Sequence, residues 1–465
     1  MVFLRNNGDE RKQLMELKNR NVVVVGTGVS GTGMVSLLSK VGANITVYDA
    51  NTALTVEDIK DRMPKDAEYN IVIGDISDDI IEGTGLLAIS PGVPIDSDIV
   101  NRFRDKGVSV WGEIELAYNY DKGTVIAITG TNGKTTTTTL VGEIIKKHNP
   151  KTFVVGNIGN SYPKEVLNTD ENSVTVAEIS SFQLESVHSF APHISAILNI
   201  TPDHLNRHYT MENYIAVKES IVRNSKPDDV CVLNYDDEVL RKFGEKRENV
   251  LFFSRKSRVE RGAYLEGDMI RFTDGKEDYP VISIHDMKLF GNHNYENVMA
   301  AVAITTAFGV PLDVIADTIR EFRGVEHRIE YVRDLKGVTY YNDSKGTNPD
   351  SSIKALEAMS RPTILIAGGY DKHSEFDEFL DAFDGKVKLL VLIGATAGKI
   401  EQTARKHGFN AIVRTDTLEN AVAICAENAV ENDVVLLSPA CASWDMFSGY
   451  EERGRLFKEY VNRLV

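Results

Sequence analysis

The stretch GTNGKTTTTT, Gly130–Thr139, decides how the fold of this 465-residue chain is interpreted. It follows the apolar run VIAIT and precedes a segment with helical spacing, so strand, loop and helix come in the order of a phosphate-binding loop. The common pattern G-x-x-x-x-G-K-[ST] requires a glycine where this sequence has Ile128. Lys134 and Thr135 still match the residues that reach the β- and γ-phosphates and Mg²⁺ in such loops.

The loop and its helix predict a nucleoside triphosphate site. Backbone N–H groups from Gly130 to Lys134 are expected to point at phosphate oxygens, and the dipole of the following helix adds to their attraction. A glycine turn with a solvated lysine is the alternative, but it leaves the order of strand, loop and helix unexplained. The predicted nucleotide contacts are Gly130, Thr131, Asn132, Gly133, Lys134, Thr135 and Thr136.

A second glycine loop, GTGVSG, lies upstream between an apolar strand and a helix. Gly26, Gly28 and Gly31 match the G-x-G-x-x-G pattern of a dinucleotide-binding turn, and Asp49 closes the next strand. The pattern leaves three interpretations open: a nicotinamide or flavin site, a tight turn without a ligand, or a helix N-terminus that binds the diphosphate of another nucleotide. Ser90 ends a later strand in ISPGVP and could line the same crevice.

Short β-branched runs alternate with helical stretches along the whole chain, which is typical of α/β folds with parallel sheets. We therefore predict three domains: a Rossmann-like N-terminal domain (1–113), a central P-loop ATPase-like domain with a mainly parallel sheet (114–324), and a Rossmann-like C-terminal domain (325–465). Residues 249–283 are expected to form small antiparallel strands, as an excursion from the central sheet. The predicted buried strands cover residues 21–26, 43–49, 85–90, 123–130, 173–180, 193–200, 337–343, 362–369, 387–394 and 433–440.

Composition and charge argue against several classes of function. The formal net charge of −16 disfavours a nucleic-acid partner, because nucleic-acid phosphates require a basic surface. No run of about 18 apolar residues occurs, so we predict no membrane span, and the N-terminus lacks the apolar core of a signal peptide. The three scattered cysteines form no zinc or disulfide pattern and fit a reducing cytoplasm.

Three residues downstream of the phosphate loop suggest metal chemistry. Glu178 ends a predicted strand in VAEIS, His204 follows the next strand in NITPDHLNRH, and Lys218 lies on a helix that begins near Met211. A carboxylate and a histidine near a phosphate loop are candidate metal ligands. Each residue also has an ordinary interpretation, as a capping carboxylate, a surface histidine or a solvated lysine. Their spacing from the loop favours a site.

The motifs ITGTNGKTT, AEISSFQL, NITPDHLNRH and YIAVK resemble the central domain of the Mur ligases, the ATP-dependent amide-forming enzymes of peptidoglycan precursor synthesis. Folylpolyglutamate synthases share this framework. The family's loop has the compact form G-[ST]-N-G-K-[ST]-[ST], so Ile128 agrees with the resemblance. The resemblance implies that Lys218 is carbamylated, which turns a cation into an anion with two oxygens. The implied Mg²⁺ ligands are Thr135, Glu178, His204 and the carbamylated Lys218.

Downstream motifs extend the resemblance into the last third of the chain. LFGNHNYENVMAA resembles the family's adenine-side helix, in which Asn294 and Asn297 lie on one face. Arg328 in FRGVEHRIE matches an arginine that the family directs at the γ-phosphate. In YNDSKGTNPDS, Asp343 is expected to contact the ribose, and Lys345 is expected to offset negative charge at the reacting centre.

Three stretches resemble the family members that add D-glutamate to UDP-N-acetylmuramoyl-L-alanine: SPGVP, GNIG, and LLSPACASWDMFSGYEERGRLFKEYV near the C-terminus. Ser443 and Lys372 match residues that hold the incoming glutamate, whereas Trp444 and Tyr450 depart from the expected pattern. The first glycine loop would then bind the uridine diphosphate. The predicted substrate contacts are Gly28, Val29, Ser30, Asp49, Asn51, Ser90, Asn157, Lys372, Ser443 and Tyr450.

The resemblance implies a ligase that activates the L-alanine carboxylate as an acyl phosphate before the D-glutamate amine attacks. The expected cofactors are ATP, Mg²⁺ at two sites and a CO2-derived carbamate on Lys218, in a cytoplasmic monomer that takes small-molecule substrates. The alternatives are another Mur-type or folylpolyglutamate-type ligase, a Rossmann oxidoreductase, and a nucleotide-gated switch. The expected catalytic residues are Lys134, Glu178, His204, Lys218, Arg328 and Lys345.

Overall fold

A computed structural model describes residues 16–157, 160–370 and 374–465. Within these residues the fold is α/β, as predicted, with 20 strands in three sheets. The chain divides into two compact units. The first contains the residues up to Asp286 together with Glu296–Arg320, and the second contains Met287–Tyr295 with Glu321–Val465.

The first sheet has five parallel strands in the order β3-β2-β1-β4-β5, the order of a Rossmann-like half. Residues 22–25 of β1 are all buried, because helices cover both faces of a parallel sheet. The strands are β1 Asn21–Val25, β2 Asn44–Asp49, β3 Asn70–Ile73, β4 Leu86–Ile89 and β5 Ser109–Gly112. The helices are α1 Val29–Lys40, α2 Val56–Arg62, α3 Asp78–Glu82, α4 Asp98–Asp105 and α5 Glu113–Tyr118.

The second sheet also belongs to the first unit and has nine strands, in the order β14-β13-β12-β11-β10-β9-β6-β8-β7. All six residues of β6 are buried, which explains the continuous apolar run before the phosphate loop. The strands are β6 Thr124–Thr129, β7 Thr152–Gly156, β8 Val174–Glu178, β9 Ile194–Ile197, β10 Val230–Asn234, β11 Val250–Ser254, β12 Gly262–Glu266, β13 Met269–Thr273 and β14 Asp278–Ser283. The helices that follow in the chain are α6 Lys134–His148, α7 Tyr162–Glu165, α8 Ser181–Leu184, α9 Leu205–His208, α10 Met211–Glu219, α11 Glu238–Gly244, α12 Asn292–Phe308 and α13 Leu312–Glu321.

The segment 249–283 differs from its prediction in pairing and in position. β11 and β12 are parallel to their neighbours β10 and β11, and the antiparallel pairs are β12–β13 and β13–β14. All four strands continue the edge of the central sheet instead of leaving it. The short turn between β12 and β13 produces the antiparallel pairing, whereas longer connections precede β11 and β12.

The third sheet lies in the second unit and has six strands, in the order β15-β16-β20-β17-β18-β19. Its only antiparallel pair among the described strands is β15–β16, which joins the edge strand through a tight turn. The strands are β15 Glu330–Leu335, β16 Val338–Asn342, β17 Thr363–Ala367, β18 Val387–Leu392, β19 Ile412–Arg414 and β20 Val434–Leu437. The helices are α14 Pro349–Ala358, α15 Asp377–Asp381, α16 Ala397–Lys406, α17 Leu418–Asn428 and α18 Tyr450–Arg463.

Three sheets agree with three predicted domains, but the boundaries near residues 113 and 324 stay predictions, because the first two sheets fall into one compact unit. No helix in the described part of the chain is both long and apolar enough to cross a membrane.

The third glycine of GTGVSG is the residue that the first sheet requires for close packing. A Cβ on Gly31 would lie 2.0 Å from the carbonyl oxygen of Gly26. We expect Gly31→Ala to lower the free energy of unfolding by about 1–3 kcal/mol, because the backbone must shift to relieve the overlap. Urea denaturation followed by circular dichroism measures this loss.

Gly92→Ala is the matched control, because a Cβ at Gly92 meets nothing within 4 Å. This variant should unfold within about 0.5 kcal/mol of the wild type. Equal stabilities for the Gly31 and Gly92 variants would contradict the packing role of Gly31.

Candidate functional site

The predicted phosphate loop lies at the carboxyl edge of the central sheet. β7, β8, β6 and β9 are adjacent and parallel, so the residues that follow these strands meet at one edge. Asn157 follows β7, Glu178 ends β8, the loop follows β6, and the segment with His204 follows β9. These four predicted features therefore lie at one edge of the sheet.

Gly133 closes the loop and caps α6. Its φ of 83° lies in the left-handed region, and a Cβ there would lie 2.2 Å from Oδ1 of Asn297. Asn297 also accepts a hydrogen bond from the Thr137 hydroxyl at 3.3 Å, so it packs against the start of α6. Glycine is needed at position 133 for both conformation and space.

The loop is arranged differently from the prediction that all its N–H groups face phosphate. The Thr131 N–H donates to the Asn199 carbonyl at 2.9 Å, and the Asn132 N–H donates to Oδ1 of Asn199 at 2.8 Å. Both are engaged inside the protein. The N–H groups of Thr135 and Thr136, in the first turn of α6, have no intrahelical acceptor and can donate to an anion.

Lys134 lies folded over the loop. Its Nζ donates to the carbonyl oxygens of Gly130 and Thr131 at 2.9 and 2.8 Å. The ammonium is therefore held at the loop where the triphosphate is predicted, and a bound phosphate would compete with the two carbonyl groups for it.

Lys218 on α10 is the most buried cation of this site. Its side chain lies in the core, with the residue 1% exposed, and Nζ donates to the Gly130 carbonyl at 2.8 Å. Nζ also faces the Tyr214 ring, 4.7 Å from its centroid. Burial, together with the nearby charge of Lys134, holds the pKa of the Lys218 amine well below its ordinary value. The lowered pKa favours the neutral amine, which is the form of a lysine that can attack CO2, over the ammonium.

One carboxylate oxygen of Glu178 is buried without a hydrogen-bond partner among the described residues. Oε1 accepts from Nδ2 of Asn157 at 2.9 Å, which brings these two predicted residues together. Oε2 is buried and has no hydrogen-bond partner among the residues that the structure describes. A buried carboxylate oxygen without a donor is costly unless a cation or a ligand satisfies it. The donor chemistry therefore fits Mg²⁺, which prefers oxygen ligands.

His204 stands at the rim of the same edge, and its side chain is 48% exposed. Its φ of 53° is left-handed, its Nε2 lies 3.4 Å from Oδ2 of Asp203, and its ring centroid lies 4.8 Å from that of Phe182. Asp203 and Tyr214 also lie at this site, although neither was predicted as a site residue. Asp203 is in the motif that contains His204 and Tyr214 is in the motif that contains Lys218, so the motifs could have indicated both.

The first glycine loop has an exposed tip and a buried serine hydroxyl beside its glycines. Val29 at its tip is 76% exposed, and Ser90 lies beside Gly26 and Gly31 with a buried hydroxyl that has no partner among the described residues. Ser30 hydrogen-bonds to the buried carboxyl of Glu113, whose pKa is raised by burial.

Asp49 and Asn51 shape the loop that follows β2. Asp49 accepts from the Thr27 hydroxyl at 2.7 Å and from the Asn51 N–H at 3.0 Å, while the Asn51 side chain accepts from the Ala53 N–H. Asp49 is a predicted substrate contact, and these bonds also tie the second strand to the glycine loop.

The second unit groups several predicted residues around β16. Asp343 is fully buried, and burial raises its pKa to about 6 against the opposing effect of Arg328. Its carboxylate accepts from the Ser438 hydroxyl at 2.7 Å and from the Ile329 N–H at 3.2 Å. Nζ of Lys345 lies 5.6 Å from the centroid of the Tyr450 ring.

The structure gives fewer contacts for the remaining predicted residues. Ser443 is 2% exposed, and its neighbour Trp444 is 63% exposed and packs against Tyr370. Lys372 lies outside the described residues. Asn294 donates to the Phe290 carbonyl at 2.9 Å in the second unit, whereas Asn297 belongs to the first.

Family models match most of the chain. The Mur ligase MurD-like N-terminal domain matches residues 20–112, the Mur ligase middle domain matches 128–305, and the Mur ligase glutamate ligase domain matches 327–441. In solved structures, a UDP-N-acetylmuramate-alanine ligase (MurC) from Thermotoga maritima aligns with a TM-score of 0.59 at 19% identity over 95% of this chain and 99% of its own. The MurF ligase from Thermotoga maritima in complex with ADP aligns with a TM-score of 0.57 at 19% identity, over 96% of both chains. At this identity the likeness concerns the fold alone.

Curated relatives are similar over nearly their full length. "UDP-N-acetylmuramoylalanine--D-glutamate ligase" from Lachnospira eligens is 59% identical over 97% of this chain and 100% of its own. The proteins of the same name from Lachnoclostridium phytofermentans and a Thermoanaerobacter species are 51% and 48% identical over 97% of this chain. With matching models along the chain and relatives of this identity and coverage, the chain belongs to the Mur ligase family.

Proposed function

We propose that this chain is an ATP-dependent ligase that joins D-glutamate to UDP-N-acetylmuramoyl-L-alanine in peptidoglycan precursor synthesis. The observation that carries the proposal is the Lys218 amine, which is buried, has a lowered pKa and donates to Gly130 of the phosphate loop. A Rossmann oxidoreductase and a nucleotide-gated switch have no use for such an amine. Family membership and the names of the relatives support D-glutamate as the amino acid.

The chemistry proceeds in two steps. A carboxylate oxygen of the L-alanine unit attacks the γ-phosphorus of ATP, the bond to the β,γ-bridging oxygen breaks, and ADP leaves. The D-glutamate amine then attacks the acyl phosphate carbon through a tetrahedral intermediate. Inorganic phosphate leaves with the electron pair of the broken C–O bond, and the amine nitrogen loses its protons to a base or to water. No residue of the chain forms a covalent bond to the substrate.

Cationic side chains stabilise the charge that develops on the transferring phosphoryl group. We assign this role to Lys134 in the first unit and to Arg328 and Lys345 in the second. The first-turn N–H groups of α6 add a fixed dipole at the phosphates. His204 is exposed enough to reach a bound substrate and is a candidate for the group that accepts the amine proton.

Mg²⁺ would be held by Thr135, Glu178, His204 and Lys218, with two ions as the expected number. When bound, it offsets the negative charge of the triphosphate. The unpartnered Oε2 of Glu178 is the feature of this chain that best fits such a ligand set.

The environment of Lys218 supports its proposed carbamylation. The neutral amine attacks the carbon of CO2, and an N–C bond forms while one C–O π bond breaks and its electron pair goes to oxygen. One proton of the nitrogen then leaves to solvent. The product is an anion beside Lys134, so the carbamate and the Lys134 ammonium attract each other.

The remaining assignments complete the site. Asn294 and Asn297 would read the adenine, Asp343 would contact the ribose, and the loop Gly130–Thr136 would bind the phosphates. We further propose that the protein is a cytoplasmic monomer. The proposed contacts for the nucleotide substrate and D-glutamate are Gly28, Val29, Ser30, Asp49, Asn51, Ser90, Asn157, Lys372, Ser443 and Tyr450.

The amino-acid specificity is tested with single amino acids. The enzyme, ATP, Mg²⁺ and UDP-N-acetylmuramoyl-L-alanine are mixed with D-glutamate, L-glutamate, a diamino acid or glycine, and phosphate release is measured. We expect release with D-glutamate. Release with L-glutamate or a diamino acid, but not with D-glutamate, would assign the chain to another ligase of the same framework.

The carbamate is tested by removing the Lys218 amine. We expect Lys218→Ala to lose activity by roughly 10²-fold, because a charged group at the reacting phosphates is lost. Formate or acetate should restore part of the rate by supplying a carboxylate to the vacated space. Lys242→Ala removes an exposed lysine of the same unit and should keep wild-type activity without added acid. Full activity in the Lys218 variant, or no response to the acids, would refute the carbamate.

The cation site is tested at Glu178. We expect Glu178→Gln to raise the Mg²⁺ concentration needed for half-maximal turnover by at least about tenfold, because an amide is a weaker ligand than a carboxylate. Glu143→Gln, on the exposed side of α6, is the control and should leave the Mg²⁺ titration unchanged. Identical titrations for the wild type and the Glu178 variant would remove Glu178 from the ligand set.

A further inference from the structure

Asn199 makes three hydrogen bonds to two consecutive residues of the phosphate loop. Its carbonyl oxygen accepts from the Thr131 N–H at 2.9 Å, and its Oδ1 accepts from the Asn132 N–H at 2.8 Å. Its Nδ2 donates to the Asn132 carbonyl at 3.1 Å. The side-chain amide therefore forms a reciprocal pair with the backbone of Asn132. These contacts join segments that are 67 residues apart in the chain.

The segment that carries Asn199 is itself held from the other side. The Leu198 carbonyl accepts from Nδ2 of Asn234, and the Ile200 N–H donates to Asp237 at 2.8 Å. The Leu198 N–H donates to the Thr129 carbonyl at 3.0 Å, so β9 continues beside β6 up to the loop. The backbone on both sides of Asn199 is therefore held by hydrogen bonds.

A second contact supports the same geometry. The Thr131 hydroxyl bonds to the Thr201 carbonyl at 3.1 Å and accepts from the Thr201 N–H at 3.1 Å. It also lies 3.1 Å from the Tyr214 hydroxyl, whose ring faces Lys218. Asn199 and Thr201 therefore both bond to the first part of the phosphate loop, at Thr131 and Asn132.

These contacts define the orientation of the two peptide groups around Asn132. Because its N–H and its carbonyl are both engaged by one amide, neither can rotate toward a ligand without breaking a bond to Asn199. The N–H groups of Thr135 and Thr136 in the first turn of α6 have no intrahelical acceptor and can donate to a phosphate. The carbonyl oxygens that would repel a phosphate are turned to Asn199 and Lys134.

We propose that Asn199 is a positioning residue for nucleotide binding: it fixes the apex of the phosphate loop so that the start of α6 and Lys134 face the phosphates. Asn199 does not touch the reacting atoms in this role. The inference rests on the proposed function, since it takes the loop as the ATP site.

The test compares Asn199→Ala and Asn199→Asp with the wild type. The alanine variant loses both side-chain bonds to Asn132. The aspartate variant keeps the acceptor for the Asn132 N–H but turns a carboxylate oxygen toward the Asn132 carbonyl and adds negative charge near the phosphates. ADP binding is measured by calorimetry with Mg²⁺ and no other substrate, and KM is measured for ATP and for the amino acid.

The matched control is Asn224→Asp. Nδ2 of Asn224 donates to the His188 and Phe190 carbonyls at 2.7 and 3.1 Å, so this change also removes an amide that anchors backbone in the first unit. It lies outside the proposed site, and it reports what a purely structural loss does to stability and kinetics. Thermal unfolding of all variants shows how much stability each change removes.

We expect Asn199→Ala to weaken ADP binding about tenfold and to raise KM for ATP by a similar factor, with KM for the amino acid within about twofold of the wild type. Asn199→Asp should bind ADP more weakly still, and the extra loss should shrink at high salt. The Asn224 variant should bind ADP as the wild type does.

Wild-type ADP affinity in both Asn199 variants would overturn the positioning role. It would also be overturned if the Asn199 variants raised KM for ATP and for the amino acid equally, and by no more than Asn224→Asp does. Should the alanine variant fail to fold, the aspartate variant decides by the same criteria. A wild-type protein that binds no ADP would instead refute the proposed function, so the two failures are distinguishable.

Discussion

The hydrogen bond from Nζ of Lys218 to the Gly130 carbonyl is the contact on which the site depends. A buried ammonium with one carbonyl and one aromatic ring as neighbours would cost several kcal/mol of desolvation, and the charge of Lys134 adds repulsion. The neutral amine avoids both costs. Burial therefore favours the neutral form of Lys218, and α10 places its Nζ against the Gly130 carbonyl of the phosphate loop.

The second unit holds Arg328 on strained backbone. His327 and Ile329, on either side of it, have φ values of 64° and 44°, and a left-handed conformation is costly for a β-branched residue such as Ile329. The Ile329 N–H donates to the buried carboxylate of Asp343, and the Lys345 N–H donates to the His327 carbonyl. These bonds offset the strain and fix the arginine loop to β16. Asp343 thus shapes the loop of Arg328, in addition to its proposed contact with the ribose.

Much of the fold could be predicted because parallel strands covered on both faces read as continuous apolar runs, as in β1 and β6. The pairing of β11 and β12 could not, since alternation within a strand does not specify its neighbour or direction. The same limit applies to the loop. Glu178, His204 and Lys218 came from motifs. Asn199, the acceptor for the Thr131 and Asn132 N–H groups, is the first residue of the motif that contains His204, but the motif does not indicate that Asn199 contacts the loop.

Two glycine loops of similar appearance need their glycines for different physical reasons. Gly31 is required because its Cα approaches the Gly26 carbonyl, a constraint between a helix and its own strand that holds whether or not a ligand binds. Gly133 is required because its backbone is left-handed and Asn297 occupies the space of a Cβ. A glycine pattern therefore reports backbone geometry and not the identity of a ligand. What separates a redox dinucleotide from a phosphoryl donor is the chemistry around the turn. Here that chemistry is a buried amine and an unpartnered carboxylate oxygen beside the second loop.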